Sequence, residues 1–137
     1  MSDNQDENVK LYLKITGFQC SPDEISHIIG IFPTKKWLKG DIIDKRVIVR
    51  RKQNGWMLQS ELLEDRPVKE HIENLLSMVM PKKERLKNIP PDAEIAIYCV
   101  VYSTLGRPDI SLDPAMIKAI AELGAWVDFD LYQLPEH

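Results

Sequence analysis

The chain has 137 residues, the usual length of a single domain, and its apolar content of 44% and charged content of 28% are typical of a globular protein. Its net charge of -3 argues against a dedicated nucleic-acid-binding protein, because such proteins carry a dominant positive surface. Two cysteines are too few for a disulfide framework, and no apolar run approaches the roughly 20 residues that cross a bilayer.

The N-terminus is polar and acidic and lacks the apolar segment of a signal peptide. We therefore expect a cytoplasmic protein with no membrane association and with reduced thiols at Cys20 and Cys99. We expect residues 1–8 to form a flexible tail and residues 9–137 to form one folded domain. No cofactor is expected.

The first ordered elements are a strand and a short helix. Apolar and polar residues alternate from Val9 to Thr16, which is typical of a half-buried strand. Ser21 is then placed as the N-cap of a helix, and Glu24 lies three residues later as in a capping box. Gly30 is placed to end this helix, because glycine tolerates the left-handed conformation of a helix terminus.

The segment FPTKKWLKGD follows at residues 32–41 and surrounds Trp37 with Lys35, Lys36 and Lys39. One interpretation is a contact surface for a partner, since an indole buries much area and the cations add charge complementarity. The other interpretation is a structural plug, in which Trp37 folds back onto the core and the lysines stay in water. The contact surface is favoured here, and it predicts an exposed Trp37.

Asn54-Gly55 is a strong turn signal, and it predicts a hairpin between residues 45–52 and residues 55–61. The first strand of this hairpin is densely basic, and with the lysines around Trp37 it would form one positive surface. Such a surface suits an acidic protein, a phosphorylated ligand or a nucleic acid, whereas the alternative is an edge strand charged to stay monomeric. The basic residues of the strand are Lys45, Arg46, Arg50, Arg51 and Lys52.

The second half of the chain predicts two further helix and strand pairs. Pro67 precedes an apolar helical stripe that runs to Val79, and Asp113-Pro114 starts another capped helix. Residues 94–103 are apolar on both faces and predict a central strand. The last strand is predicted at residues 125–132.

The predicted order is β-α-β-β-α-β-α-β, whose first six elements match the ferredoxin-like split βαβ plan. The fold class is therefore expected to be α+β: a mainly antiparallel sheet with helices on one face, plus one added αβ unit. The predicted core comprises Leu11, Leu13, Ile25, Ile29, Leu58, Ile72, Leu75, Ile95, Ile97, Ile117, Ile120 and Phe129.

Residues able to carry catalysis are few and scattered. His27, His71 and His137 lie in separate segments without metal-ligand spacing, and the first two are expected at the surface or its boundary. Cys99 lies in the core-like strand and is expected to pack as a small apolar residue. Cys20 lies beside a helix start that would favour a thiolate, but no base is near it in sequence.

Asp128 and Asp130 lie two residues apart on the last strand, so their carboxylates point to one face. They are candidates for holding a hard cation or for acid/base chemistry. The alternative is a solvent-facing strand whose charges discourage edge pairing. No third ligand is identifiable, so no metal site is assigned.

Several segments together resemble a bacterial family, domain of unknown function 4279. They are residues 21–31 with Pro33 and the triplet at 39–41, Trp56 at the entry to a strand, and ISLDPAMIKAIAELGAWVDFDLY near the C-terminus. The resemblance extends over about residues 9–133. It implies a bacterial α+β domain and assigns no catalytic residues.

We expect a non-enzymatic binding protein with a protein partner, and the sharpest version, by analogy with other small bacterial domains, is an immunity protein that neutralises a toxin. The alternative is a module that binds a small molecule or a nucleic acid through the basic patch and Trp37. A third possibility is an enzyme or metal site at Asp128 and Asp130.

Overall fold

The computed structural model describes residues 7–46, 48–104 and 108–135. A short 3-10 turn, Met80–Lys82, joins the second helix to the third. The helices and strands, in chain order, are β1 Glu7–Thr16, α1 Pro22–Ile29, β2 Lys35–Trp37, β3 Ile42–Asp44, β4 Val49–Arg50, β5 Gly55–Gln59, α2 Val68–Val79, α3 Lys83–Leu86, β6 Glu94–Ser103, α4 Pro114–Glu122 and β7 Trp126–Gln133.

Five strands form the main sheet in the order β2-β5-β1-β6-β7. β1 pairs antiparallel with both β5 and β6, and β2 pairs antiparallel with β5. β1 and β2 therefore run parallel with β5 between them, and β5 and β6 run parallel with β1 between them. These are two interleaved split βαβ units, so the ferredoxin-like plan is confirmed. The added α4–β7 unit supplies a fifth strand that is parallel to β6.

The helices cover one face of this sheet, as predicted. Alternate residues of β1, from Val9 to Ile15, are fully buried and form one apolar cluster with the inward residues of the helices. The opposite face, which we call the open face, carries the other residues of each strand, including Lys14 and Tyr98. Ala96, Tyr98 and Tyr102 on this face of β6 remain partly exposed, although Val100 is buried, so the helices cover only one side of β6. None of the helices in the described segments is long and apolar enough to cross a membrane.

Ten of the twelve predicted core residues are buried. Ile117 was placed wrongly, because it lies on the outer side of α4 and is 55% exposed, while Met116 and Ile120 face the core. Phe129 is only partly buried, because β7 is an edge strand.

The predicted hairpin across Asn54-Gly55 is wrong. β5 does begin at Gly55, but it pairs with β1 and β2, and the basic segment pairs with β3 in a separate two-stranded sheet. The Asn54 side chain instead donates hydrogen bonds to the carbonyl oxygens of Phe18 and Cys20, at 3.0 and 3.2 Å. Asn54 therefore links its own segment to the loop between β1 and α1 and does not form the turn of a hairpin.

The folded domain begins slightly earlier than predicted. Glu7 and Asn8 were assigned to the flexible tail, yet they are the first residues of β1 and pair with Ser103 and Tyr102. The rest of the predicted tail, residues 1–6, lies outside the described residues.

Candidate functional site

Trp37 is buried, with 7% of its surface exposed, so the prediction of an exposed indole is wrong. The indole does not fold back onto the core as the alternative held, because it lies on the open face with Lys35, outside the apolar cluster under the helices. Its indole Nε1 donates a hydrogen bond to the carbonyl oxygen of Gln53 at 3.0 Å. The ring occupies the space above Gly55, where a Cβ would lie 2.0 Å from two ring carbons. The Arg51 guanidinium covers the other side of the ring, 4.0 Å from its centroid.

The lysines around Trp37 do not form one cluster. Lys36 alternates with Trp37 along β2 and forms an ion pair with Asp23 at 2.5 Å. Lys35 lies opposite Met57 on the open face and is exposed. The backbone N–H of Lys39 donates to the Asn54 side chain at 2.7 Å, and the Lys39 side chain is exposed.

The predicted basic strand is likewise occupied by local contacts. Arg46 forms an ion pair with Asp44, whose pKa is lowered by hydrogen bonds from the Arg46 side chain and backbone N–H. Arg50 donates to the carbonyl oxygen of Gly40 at 2.9 Å, and Arg51 covers the indole described above. The residues predicted to bind a partner therefore lie along one segment, but Lys35 and Lys36 face opposite sides of β2, so the set does not form one surface. The set comprises Lys35, Lys36, Trp37, Lys39, Arg46, Arg50 and Arg51.

β3, β4 and the turn between them project from the main sheet as a separate unit, which we call the arm (residues 42–50, of which Val47 lies outside the described residues). Its base is fixed by backbone hydrogen bonds from Gly40 to the Arg51 carbonyl and from Arg51 to the Asp41 carbonyl, at 2.8 and 2.7 Å. The Asp41 side chain also accepts a bond from the Leu38 N–H at 2.8 Å.

The arm exposes four large apolar side chains, each with 47–68% of its surface in solvent: Ile42, Ile43, Ile48 and Val49. Ile48 also has a φ of 49°, a left-handed conformation that β-branched residues rarely adopt. Our sequence reasoning missed these residues as site candidates. The Ile42-Ile43 pair could have indicated them. Adjacent strand residues point to opposite faces, and a two-stranded sheet cannot bury both faces.

Asp128 and Asp130 share the open face with aromatic side chains. Asp128 is exposed, and Asp130 is partly buried and accepts a hydrogen bond from the Tyr98 hydroxyl. Burial and this bond to Asp130 raise the pKa of Tyr98. Lys14 lies 5.0 Å above the Tyr98 ring. Within the described residues, no group of three or more histidine, cysteine and acidic side chains is placed to hold a metal ion.

His71 is fully buried, which corrects its expected place at the surface or boundary. Its Nε2 lies 3.0 Å from the carbonyl oxygen of Leu63, which can only accept, so Nε2 carries the proton. Nδ1 then accepts from the hydroxyl of Ser60 at 2.6 Å. Burial lowers the pKa of His71. This serine–histidine pair is enclosed in the core and holds the segment before α2 against the helix.

The cysteines are poor nucleophiles. Burial raises the pKa of Cys99 to about 12. The pKa of Cys20 is also raised, mainly by partial burial and then by the nearby Glu24 carboxylate, so the expected benefit of the helix start is not realised.

A groove of about 650 Å³ lies beside α1. Its charged groups already have partners: Lys36 pairs with Asp23, and Arg85 donates to the carbonyl oxygens of His27 and Ile28 at 3.0 and 2.9 Å. The groove therefore offers little unpaired charge to a ligand.

No curated protein and no solved structure matches the chain. One family model does match, that of domain of unknown function 4279, over residues 7–134. Because this match spans nearly all of the sequence and both interleaved βαβ units with the added strand, the chain belongs to the domain of unknown function 4279 family.

Proposed function

We propose that this chain is a non-enzymatic binding protein and that its arm contacts a partner protein. The observation that carries the proposal is the exposure of four large apolar side chains, including Ile43 and Ile48, on a unit that packs little against the rest of the domain. Large exposed apolar side chains are unfavourable in water, and a concentration of them on a monomer commonly marks an interaction site.

The way in which the arm is held supports this role. Trp37 and the hydrogen bonds around Asp41 fix its base, while its apolar residues stay outside the core. A rigid base lowers the conformational entropy lost on association. Trp37 thus serves binding by positioning the arm rather than by touching the partner.

Charge defines the partner's chemistry. Lys45 and Arg50 lie in the same short segment as the exposed apolar side chains, whereas the charge of Arg46 is paired with Asp44. A complementary partner surface would therefore combine apolar and acidic groups. A nucleic acid fits less well, because Trp37 is buried and cannot stack on a base, and Arg51 already covers that indole.

Photocrosslinking in the native cell provides the first test. A photoreactive residue at position 43 is expected to capture one defined protein. The same residue at position 117, an equally exposed isoleucine site on α4, is expected to capture none. Capture at both positions alike would contradict a contact specific to the arm.

The captured protein, once purified, allows a direct measurement of affinity. Ile43→Asp is expected to weaken binding by about 30-fold, which corresponds to a loss of about 2 kcal/mol at a central contact. Ile117→Asp makes the same chemical change outside the arm and is expected to leave the dissociation constant unchanged. Equal affinities for the parent and the Ile43→Asp variant would overturn the proposal.

In the narrower form of the proposal, the partner is a toxin that this protein neutralises in the cytoplasm, where the free thiols of Cys20 and Cys99 remain reduced. The captured protein should then stop growth when expressed alone. Coexpression of the parent chain should restore growth, and coexpression of the Ile43→Asp variant should not. A captured protein that does not affect growth would exclude toxin immunity while leaving arm binding intact.

A further inference from the structure

β7 is a long edge strand with a free side. It pairs with β6 in parallel from Trp126 to Gln133, and within the described residues no strand pairs with its other side. The N–H and C=O groups of that side are therefore available to an added strand.

The open-face side chains of β7 give this edge a distinct chemistry. Asp128 and Asp130 lie between Trp126 and Tyr132, and both aromatic side chains are about half exposed or more. In the described part of the chain, neither carboxylate forms a salt bridge. The Tyr98 hydroxyl satisfies one acceptor of Asp130 but leaves its charge in place.

This pattern disfavours a second copy of the chain on the edge. Two antiparallel registers give the longest overlap of two copies, one centred on Phe129 and one on Asp130. The first sets Asp128 of each copy opposite Asp130 of the other, and the second sets the two Asp130 side chains opposite each other. Like charges directly opposite each other destabilise a strand pair. A strand that carries cations at two alternate positions would reverse this effect, because both would face an aspartate.

We propose that β7 accepts an extended basic segment of a partner protein by strand addition. Two lysine or arginine side chains, two residues apart, face Asp128 and Asp130, and their alkyl stems lie between Trp126 and Tyr132. This surface differs from the arm in both position and charge, so the inference is independent of the proposed function.

The test uses a fluorescently labelled eight-residue peptide in which lysine and valine alternate, with binding followed by anisotropy. A control peptide in which glutamate replaces every lysine is expected to bind at least tenfold more weakly. A lysine peptide that is N-methylated at alternate backbone nitrogens keeps its charge but cannot donate to the edge, so it should lose binding. Equal binding of the methylated peptide would overturn strand addition in favour of diffuse electrostatic attraction.

Variants of the protein locate the site. The double substitution Asp128→Asn, Asp130→Asn is expected to weaken binding of the lysine peptide at least tenfold. Glu61→Gln with Glu73→Gln removes two exposed charges elsewhere and should change the dissociation constant less than twofold. Ile43→Asp on the arm should have no effect, which separates this site from the proposed function.

Circular dichroism of each variant establishes that it is folded. An unchanged affinity in the Asp128→Asn, Asp130→Asn variant would overturn the proposal. A parent protein that dimerises through β7, detected as a dimer that a β7 proline substitution converts to monomer, would also overturn it, because a second copy would then occupy the edge.

Discussion

At the scale of single residues, Trp37 holds the base of the arm through three contacts. Its N–H bonds the Gln53 carbonyl, its ring fills the space left by Gly55, and Arg51 covers its outer side. An indole flanked by lysines has the composition of an interface, but in this structure it is buried against Gly55 and Arg51.

Trp37→Ala is therefore expected to lower the free energy of unfolding by about 3 kcal/mol, through lost burial and an unfilled cavity. Urea denaturation measures the change. Trp126→Ala is the matched control, because that indole is 64% exposed and its removal creates no cavity. Comparable losses in the two variants would show that burial does not distinguish the two indoles.

Gly55 tests the same contact from the other side. Gly55→Ala alone should destabilise the domain, because the new Cβ collides with the Trp37 ring. In the Trp37→Ala background the same change should cost much less, since the colliding atoms are gone. Additive effects would place the cost of Gly55→Ala elsewhere in the backbone.

His71 makes stability depend on pH. Its folded-state pKa is lowered by burial, whereas in the unfolded chain it takes up a proton near pH 6.5. The unfolded state therefore binds more protons below about pH 7, and the free energy of unfolding should fall as the pH falls through this range toward the folded-state pKa. The slope contributed by one histidine is at most about 1.4 kcal/mol per pH unit.

Denaturation at pH 7.5, 6.5 and 5.5 measures this slope. His71→Gln should remove the contribution of His71 to this slope. A slope that survives His71→Gln would assign the pH dependence to other groups.

At the scale of elements, β6 is the strand on which the sheet depends, since it pairs with β1 over ten residues and with β7 over eight. Ile97→Ala at its buried centre is expected to cost about 2–5 kcal/mol. The same substitution at Ile117, on the outer side of α4, is expected to cost less than about 0.5 kcal/mol. Urea denaturation of the two variants compares them, and a stable Ile97→Ala variant would show that β6 is not central.

Most elements could be predicted from the sequence because their ends carry local signals. The Ser21 hydroxyl caps α1 by accepting from the Glu24 N–H at 3.2 Å, and the Asp113 carboxylate caps α4 by accepting from the Met116 N–H at 2.9 Å. Gly30 ends α1 with a φ of 81°. Each of these contacts joins residues close in sequence, so a short pattern is enough to indicate it.

The second strand and the candidate sites could not be predicted in this way. Gly55 has no positive φ, and it is glycine because the Trp37 ring, eighteen residues earlier in the chain, lies against it. Similarly, Lys36 pairs with Asp23 and Arg50 donates to the Gly40 carbonyl, and the fold brings both partners into reach. Contacts between residues that are distant in sequence leave no periodic signal. Asn54-Gly55 therefore matched the pattern of a hairpin turn, although in the structure it forms contacts with distant segments.

At the scale of the whole molecule, β6 joins the added α4–β7 unit to the two interleaved βαβ units, because it pairs with both β1 and β7, and all three units contribute to one apolar cluster. We expect them to unfold together. In a Trp37→Phe, Trp56→Phe variant, the remaining indole of Trp126 reports on β7 alone. Its fluorescence and the far-ultraviolet circular dichroism should give the same urea midpoint. A lower midpoint for Trp126 would show that β7 detaches before the rest of the domain.

The strand order also has a consequence for assembly. β2, which leads into the arm, and β7 form opposite edges of the sheet, separated by four strand spacings or about 19 Å. Under the two proposals, a protein seated on the arm and a basic segment seated on β7 would therefore bind at opposite edges of one sheet. A single small domain would then link two different molecules.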